Sequence, residues 1–165
     1  PAHWQSEWEG RYPDTIDRIQ QQNWVAPDRQ AWVEGIAAVV NAYNAPQTVL
    51  IGHSIGCAAI VHWFQSYQLP LAGAILVAPS DPDRPDYPSY ITGFSPMPLT
   101  QLPFASMIIV AVDDHVVSTS RAKLFAQKWG SSYQELAKGG HLETEGNDQL
   151  NQLITEFLSQ LGVLG

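Results

Sequence analysis

Positive charge is scarce in this chain: eight Lys and Arg stand against sixteen Asp and Glu, a formal net charge of −8 over 165 residues. So acidic a surface repels a phosphate backbone unless its few cations cluster. No basic run exists, so nucleic acid is not an expected partner. Cysteine is almost missing too. The single thiol, Cys57, cannot close an internal disulfide, and it lies in an apolar helical stretch where small buried thiols are common. A reducing, cytoplasmic compartment is the expectation. No apolar run approaches the ~20 residues that cross a bilayer, and no charged-then-apolar leader opens the chain, so a membrane partner is not expected either. Internal repeats and low-complexity tracts are absent as well. Hydrophobic residues make up 45% of the chain and charged residues 15%, which argues against long disordered tails. The length suits one domain with a continuous core, read here as residues 1–165.

Short apolar runs bounded by Gly or Pro at 48–51, 72–78 and 107–112 read as buried strands. A weaker run at 132–137 suggests a later strand, and 17–20 a further early one. Helical patterns fill the intervals at 28–43, 55–67, 120–129 and 149–161, with Asp28 placed to cap the first after Pro27. The opening residues 2–8 look like the entry to another helix. Strands alternating with helices imply right-handed crossovers and a mostly parallel sheet with helices on both faces, a three-layer α/β/α architecture. One segment breaks the rhythm. Residues 79–103 hold seven of the twelve prolines, with Tyr87, Tyr90 and Phe94 and no helical or strand period. Such a connection after a strand end is where a pocket would form, so it reads as a small cap that shapes the substrate site.

The pentapeptide Gly52-His53-Ser54-Ile55-Gly56 matches G-x-S-x-G. With Gly and Ser at about 7% each, chance alone would produce it in roughly 5% of chains this long, so its context must carry the argument. Here it joins a strand to a helix, the strand, sharp turn and helix of a nucleophile elbow, with both glycines expected to relieve crowding. The bland alternative is a tight turn with a capping serine. A serine hydroxyl needs an adjacent base, and that base needs a group to orient it. Downstream, the strand at 107–112 runs into Asp113-Asp114-His115, and a Gly139-Gly140-His141 turn follows the last strand candidate. The order Ser54, Asp114, His141 is that of α/β hydrolases. Asp114 is favoured because the chain after it re-enters the core through Val116 and Val117; Asp113 stays open as the alternative, since neighbouring residues at a strand end point to opposite sides. The amide of Ile55 is the expected oxyanion donor. His53 is expected to line the site and His62 to be a packed or surface histidine. Asp114, His115, His141 and Glu143 match no metal-binding spacing.

These residues resemble the small bacterial α/β hydrolases of the retinoblastoma-binding protein 9 family over nearly the whole chain. His3-Trp4 through Trp8 looks like that family's opening helix, and Trp24 through Trp32 resembles its second block. The elbow with Cys57, Leu102-Pro103-Phe104 and Lys138-Gly139-Gly140-His141 complete the likeness. The resemblance implies a minimal α/β-hydrolase fold, a triad of Ser54, Asp114 and His141, hydrolysis of small esters or peptides, and no metal or organic cofactor. Trp4 is expected near the substrate, and a monomer or weak dimer is expected. The family commonly has proline where this chain has His115. It also has a first strand and a glycine-rich loop, which resembles the source of a second oxyanion donor, ahead of the His-Trp helix. This chain starts at Pro1, so such a segment is expected upstream in a longer protein. The family name does not carry a partner: an L-x-C-x-E motif is not present around Cys57. A second reading, from a different class, is a catalytically weak fold acting as a protein-binding or regulatory module.

Overall fold

The computed structural model describes residues 3–164. The apolar runs form four strands, β1 (Val49–His53), β2 (Gly73–Val77), β3 (Ala105–Ala111) and β4 (Ser132–Leu136). They pair in the order β1-β2-β3-β4, every pair parallel. Among the described residues five α-helices flank them: α1 (Trp4–Arg11), α2 (Arg29–Ala42), α3 (Ile55–Tyr67), α4 (Thr119–Trp129) and α5 (Asp148–Gln160). The expectation for α1 began at Ala2, which lies outside the described residues.

Successive side chains on a strand point to opposite faces, and here that period sorts the core in two. Leu50, Ala74, Leu76, Ile108 and Val110 pack with α2, α3 and α4 on one face. Ile75, Val77, Met107, Ile109, Ala111 and Leu136 pack with α1 and α5 on the other. Because β2 is buried along its whole length, it has no polar alternation, which is why it reads as a continuous apolar run. Each fully buried Ile or Leu contributes about 1.5–3 kcal/mol of transfer free energy. The indole Nε1 of Trp8 is not lost to this core, since it donates to Asn151 Oδ1 at 2.7 Å and ties α1 to α5. Cys57 is fully buried with Sγ 3.3 Å from the Val77 carbonyl oxygen, and burial pushes its thiol up.

Helix starts follow side-chain chemistry. Asp28 accepts from the Ala31 amide at 3.1 Å, Ser118 from Arg121 at 3.2 Å and Asn147 from Leu150 at 3.0 Å, each satisfying a donor the helix leaves open. The α3 helix differs. It starts after Ser54, whose side chain makes no capping bond, so the hydroxyl is left for another partner.

One expectation changes. Residues 17–20 are not a strand: only Ile19 of that run packs on the core, while Arg18 turns to Glu9, so the run has too little apolar surface to join a sheet. Among the described residues β1 is therefore one of the two edge strands, with Val49 and Ile51 partly exposed. The 79–103 connection has neither helix nor strand, yet it is pinned. Arg121 holds Asp81 at 2.9 Å and Asp83 at 3.0 Å, and Asp83 also accepts from Ser95 Oγ at 2.8 Å and the Met97 amide at 3.0 Å. Phe94, Met97 and Leu102 are buried beneath it in the first core.

The turn from β1 into α3 distinguishes its two glycines. A Cβ at Gly52 would lie 2.8 Å from Ile60 Cδ1, 2.9 Å from the Cys57 amide nitrogen and 2.9 Å from the Gly56 carbonyl carbon, whereas one at Gly56 would meet nothing within 4 Å. The expectation that both relieve crowding therefore holds for Gly52 only. Backbone atoms cannot step aside, so Gly52→Ala is expected to lower stability by about 1–3 kcal/mol, while Gly56→Ala stays neutral or gains up to about 1 kcal/mol. Urea midpoints of the two variants, followed by circular dichroism, check this contrast.

Candidate active site

Ser54 occupies φ 53°, ψ −119°, a region that L residues rarely adopt and that costs of order 1–3 kcal/mol. Its neighbours hold it there. The Ser54 amide donates to the Val77 carbonyl at the end of β2 at 2.9 Å, and its own carbonyl accepts from the Cys57 amide at 3.1 Å and the Ser80 amide at 3.3 Å. The side chain then stands at the carboxyl end of β1, where parallel α/β sheets place their sites.

Its hydroxyl lies 2.7 Å from His141 Nε2. The other ring nitrogen, Nδ1, is 2.9 Å from Asp114 Oδ2 and 3.1 Å from Oδ1. An ionised carboxylate only accepts, so Nδ1 carries the proton and Nε2 is left to accept from Ser54 Oγ. Asp114 is fully shielded and His141 nearly so, with side-chain exposures of 0% and 5%. Burial alone would raise the Asp114 pKa. The hydrogen bonds from His141 and from the Val116 amide, aided by Val117, outweigh it and hold the carboxyl below its ordinary value.

The aspartate that remained open in the sequence has a separate task. Asp113 Oδ1 accepts from the amides of both Gly139 and Gly140 at 2.9 Å, fastening the turn that carries His141. Gly140 sits at φ 55° and Leu142 at φ 53°, so that turn needs external ties. Strand-end alternation sends the two acids to opposite sides, one to the imidazole and one to the backbone behind it.

A cleft of about 380 Å³ opens over Ser54, lined by His3, His53, Ser54, His141, Glu143 and Thr144. Ile55 is the first residue of α3, so its amide lies outside the helix's own bonding ladder, while its side chain packs on the first core. Trp4 departs from expectation. It is 1% exposed and belongs to the second core, standing behind His53 with ring centroids 6.4 Å apart, and it does not line the cleft. The cap aromatics do not line it either: Phe94 is buried, Tyr87 bonds Ser80 through its hydroxyl at 3.0 Å, and Tyr90 faces solvent. Aromatic content gave no indication of whether a ring faces a core or a cleft. His62 is buried and bonds the Phe94 carbonyl at 2.8 Å, a packing role. His3, Glu143 and Thr144 went unnoticed as lining residues, because the antiparallel bridge between His3 and Thr144 joins segments with no shared sequence signal. Among the described residues no group of three or more His, Cys, Asp or Glu is arranged to hold a metal ion.

A parallel sheet between helix layers, with a serine on a strained strand-to-helix turn, defines an α/β-hydrolase fold. The chain belongs to the serine hydrolase family, whose family model matches residues 1–158. It is 29% identical over 154 residues to YdeN of Bacillus subtilis, a protein named as a hydrolase, covering 87% of this chain and 80% of that one. A YdeN-like hydrolase from Pectobacterium atrosepticum is similar in structure, with a TM-score of 0.80 and 31% identity over 96% of this chain and 84% of that chain. A thermophilic esterase from Thermogutta terrifontis shares the fold, with a TM-score of 0.70 and 16% identity over 96% of this chain and 86% of that chain. The narrower likeness to the retinoblastoma-binding protein 9 group rests on the sequence blocks alone.

Asp114 and His53, among other shielded groups, shape the acid behaviour in the same direction. Asp114 has a folded pKa below its ordinary 3.8, so its contribution is complete above that value and is lost as pH falls through the lower one. His53 is pushed down by burial from 6.5 to about 4. Between those values the unfolded chain binds the extra proton, so stability falls as pH drops through that window. Urea midpoints measured against pH are expected to decline from about 6.5 towards about 4 and again at lower pH. His53→Gln reduces the first limb, to which His62 and His3, also lowered by burial, contribute, and Asp114→Asn reduces the second.

Proposed function

We propose that this chain hydrolyses small esters or amides through an acyl-enzyme on Ser54. The observation that carries the reading is the 2.7 Å contact between Ser54 Oγ and His141 Nε2, with Nδ1 of the same ring on a buried carboxylate. As Oγ attacks the substrate carbonyl carbon, its proton passes to Nε2, and Asp114 steadies the imidazolium that forms. The Ile55 amide donates to the oxyanion. Collapse of the tetrahedral species breaks the carbonyl–leaving-group bond, with the proton returning from Nε2 to the departing alcohol or amine. Water, activated by the same imidazole, then attacks the acyl-Ser54 ester and restores the hydroxyl. Every step draws on this chain's own groups and water.

The cleft also bears on substrate charge. Burial lowers the pKa of both His53 and His3, so Glu143 supplies the fixed charge of the lining. Neutral acyl groups are favoured over anionic ones.

A fluorophosphonate probe is expected to label Ser54 and not Ser54→Ala. Labelling of the alanine variant, or none of the folded wild type, would overturn the reading and favour a binding module. Asp114→Asn is expected to cut turnover about 10³–10⁴-fold, and Asp113→Asn far less. Between a neutral butyrate ester and a hemisuccinate of the same alcohol, the neutral one is hydrolysed faster. Glu143→Gln narrows the gap by up to about fivefold, the scale of one exposed charge.

A further inference from the structure

His53 takes no part in the acyl-transfer steps, yet its ring is more constrained than any of those steps requires. Its Nε2 lies 2.7 Å from the main-chain carbonyl oxygen of His141. A carbonyl can only accept, so Nε2 carries the proton and Nδ1 is bare. Facing that bare nitrogen at 3.4 Å is Nε2 of His3. His3 accepts the Gln5 amide on its own Nδ1 at 3.2 Å, so its proton sits on Nε2 and points at His53. Donors thus run in one direction, from the Gln5 amide through His3 and His53 to the backbone of His141.

The segment at the end of this chain needs such a hold. It contains Gly140 and Leu142, both at positive φ. Beyond it, Thr144 bridges to His3 and the Gly146 amide donates to Glu7 Oε2 at 3.1 Å. The start of α1 therefore grips the histidine loop at two points while His53 grips it at its catalytic end. The titratable groups facing His53 are His3 from the start of α1, His141 from the loop after β4 and Asp114 from the loop after β3; Glu143 and Arg18 act on His3.

We propose that His53 is a positioning residue: its Nε2–H, held in that tautomer by His3, fixes the main chain of His141 and so sets the reach of His141 Nε2 to Ser54. The inference rests on the acyl-enzyme reading above.

The test compares wild type with His53→Leu, which lacks the donor, and His53→Gln, whose amide nitrogen can take the place of Nε2. Readouts are the rate of fluorophosphonate labelling of Ser54, kcat and KM on a butyrate ester, and the imidazole tautomers by 15N NMR. His53→Leu is expected to lose about 10–100-fold in labelling rate and kcat, the scale of a small misplacement of a catalytic group, with KM little changed. His53→Gln recovers most of the loss. Wild-type His53 is expected to be neutral at pH 6 with its proton on Nε2. A His53→Leu variant that labels at the wild-type rate overturns the proposal. A folded His53→Gln as slow as His53→Leu, or a proton on Nδ1 of wild-type His53, does the same. If His53→Leu does not fold, His3→Ala decides: a released tautomer with slowed labelling supports the proposal, and an unmoved tautomer overturns it. A wild type that never labels would instead defeat the acyl-enzyme reading, while leaving the tautomer measurable.

Discussion

The backbone of Ser54 passes through φ 53°, ψ −119°, and much of the surrounding structure exists to keep it there. A residue in that region returns to a relaxed conformation unless its surroundings over-determine it. Here the end of β2 supplies an acceptor for the Ser54 amide, the first turn of α3 and the Ser80 amide hold its carbonyl, and Gly52 leaves the space into which α3 packs. Relaxing the turn would break those bonds and separate α3 from β1. The strain is thus held by the core on both sides, and the hydroxyl is presented where it cannot fold back to cap the helix.

The histidine that meets this hydroxyl is placed by a different method. No regular element carries His141; it sits on a turn with several residues at positive φ. Such a turn keeps one geometry only if its backbone groups are spoken for. Asp113 takes two amides, His53 donates to a carbonyl, and the start of α1 bridges the residues beyond. Asp114 then fixes the ring itself. Adjacent aspartates therefore divide the work, one holding the loop and the other the imidazole. This division follows from the alternation of neighbouring residues just past the end of β3.

Much of the frame was legible before any coordinates. The apolar runs that became β1, β2 and β3, and the capping residue Asp28, are local signals decided within a few residues. The elbow was legible for the same reason, because a strand, a G-x-S-x-G turn and a helix follow one another directly. Asp17 and Gln20 misled because a run with one apolar residue can be extended without entering a sheet. Trp4 misled differently: its burial in the second core depends on α5 and β2, which lie far along the chain. The Tyr87, Tyr90 and Phe94 group looked like a pocket wall, but a ring's direction in a segment without secondary structure has no period to reveal it.

By itself, then, the sequence determined most of the elements, their order, the serine turn between strand and helix and, to within one aspartate, the histidine and carboxylate brought to that serine, since those depend on short-range periodicity and turn chemistry. Only the tertiary structure decided which aspartate reaches the ring, what lines the cleft, and how His3, His53 and His141 are joined. The physical reason is separation. Hydrogen bonds such as that between Ser54 and His141 span 87 positions, and their geometry is set by how two helix layers seat on the sheet, which no local pattern encodes.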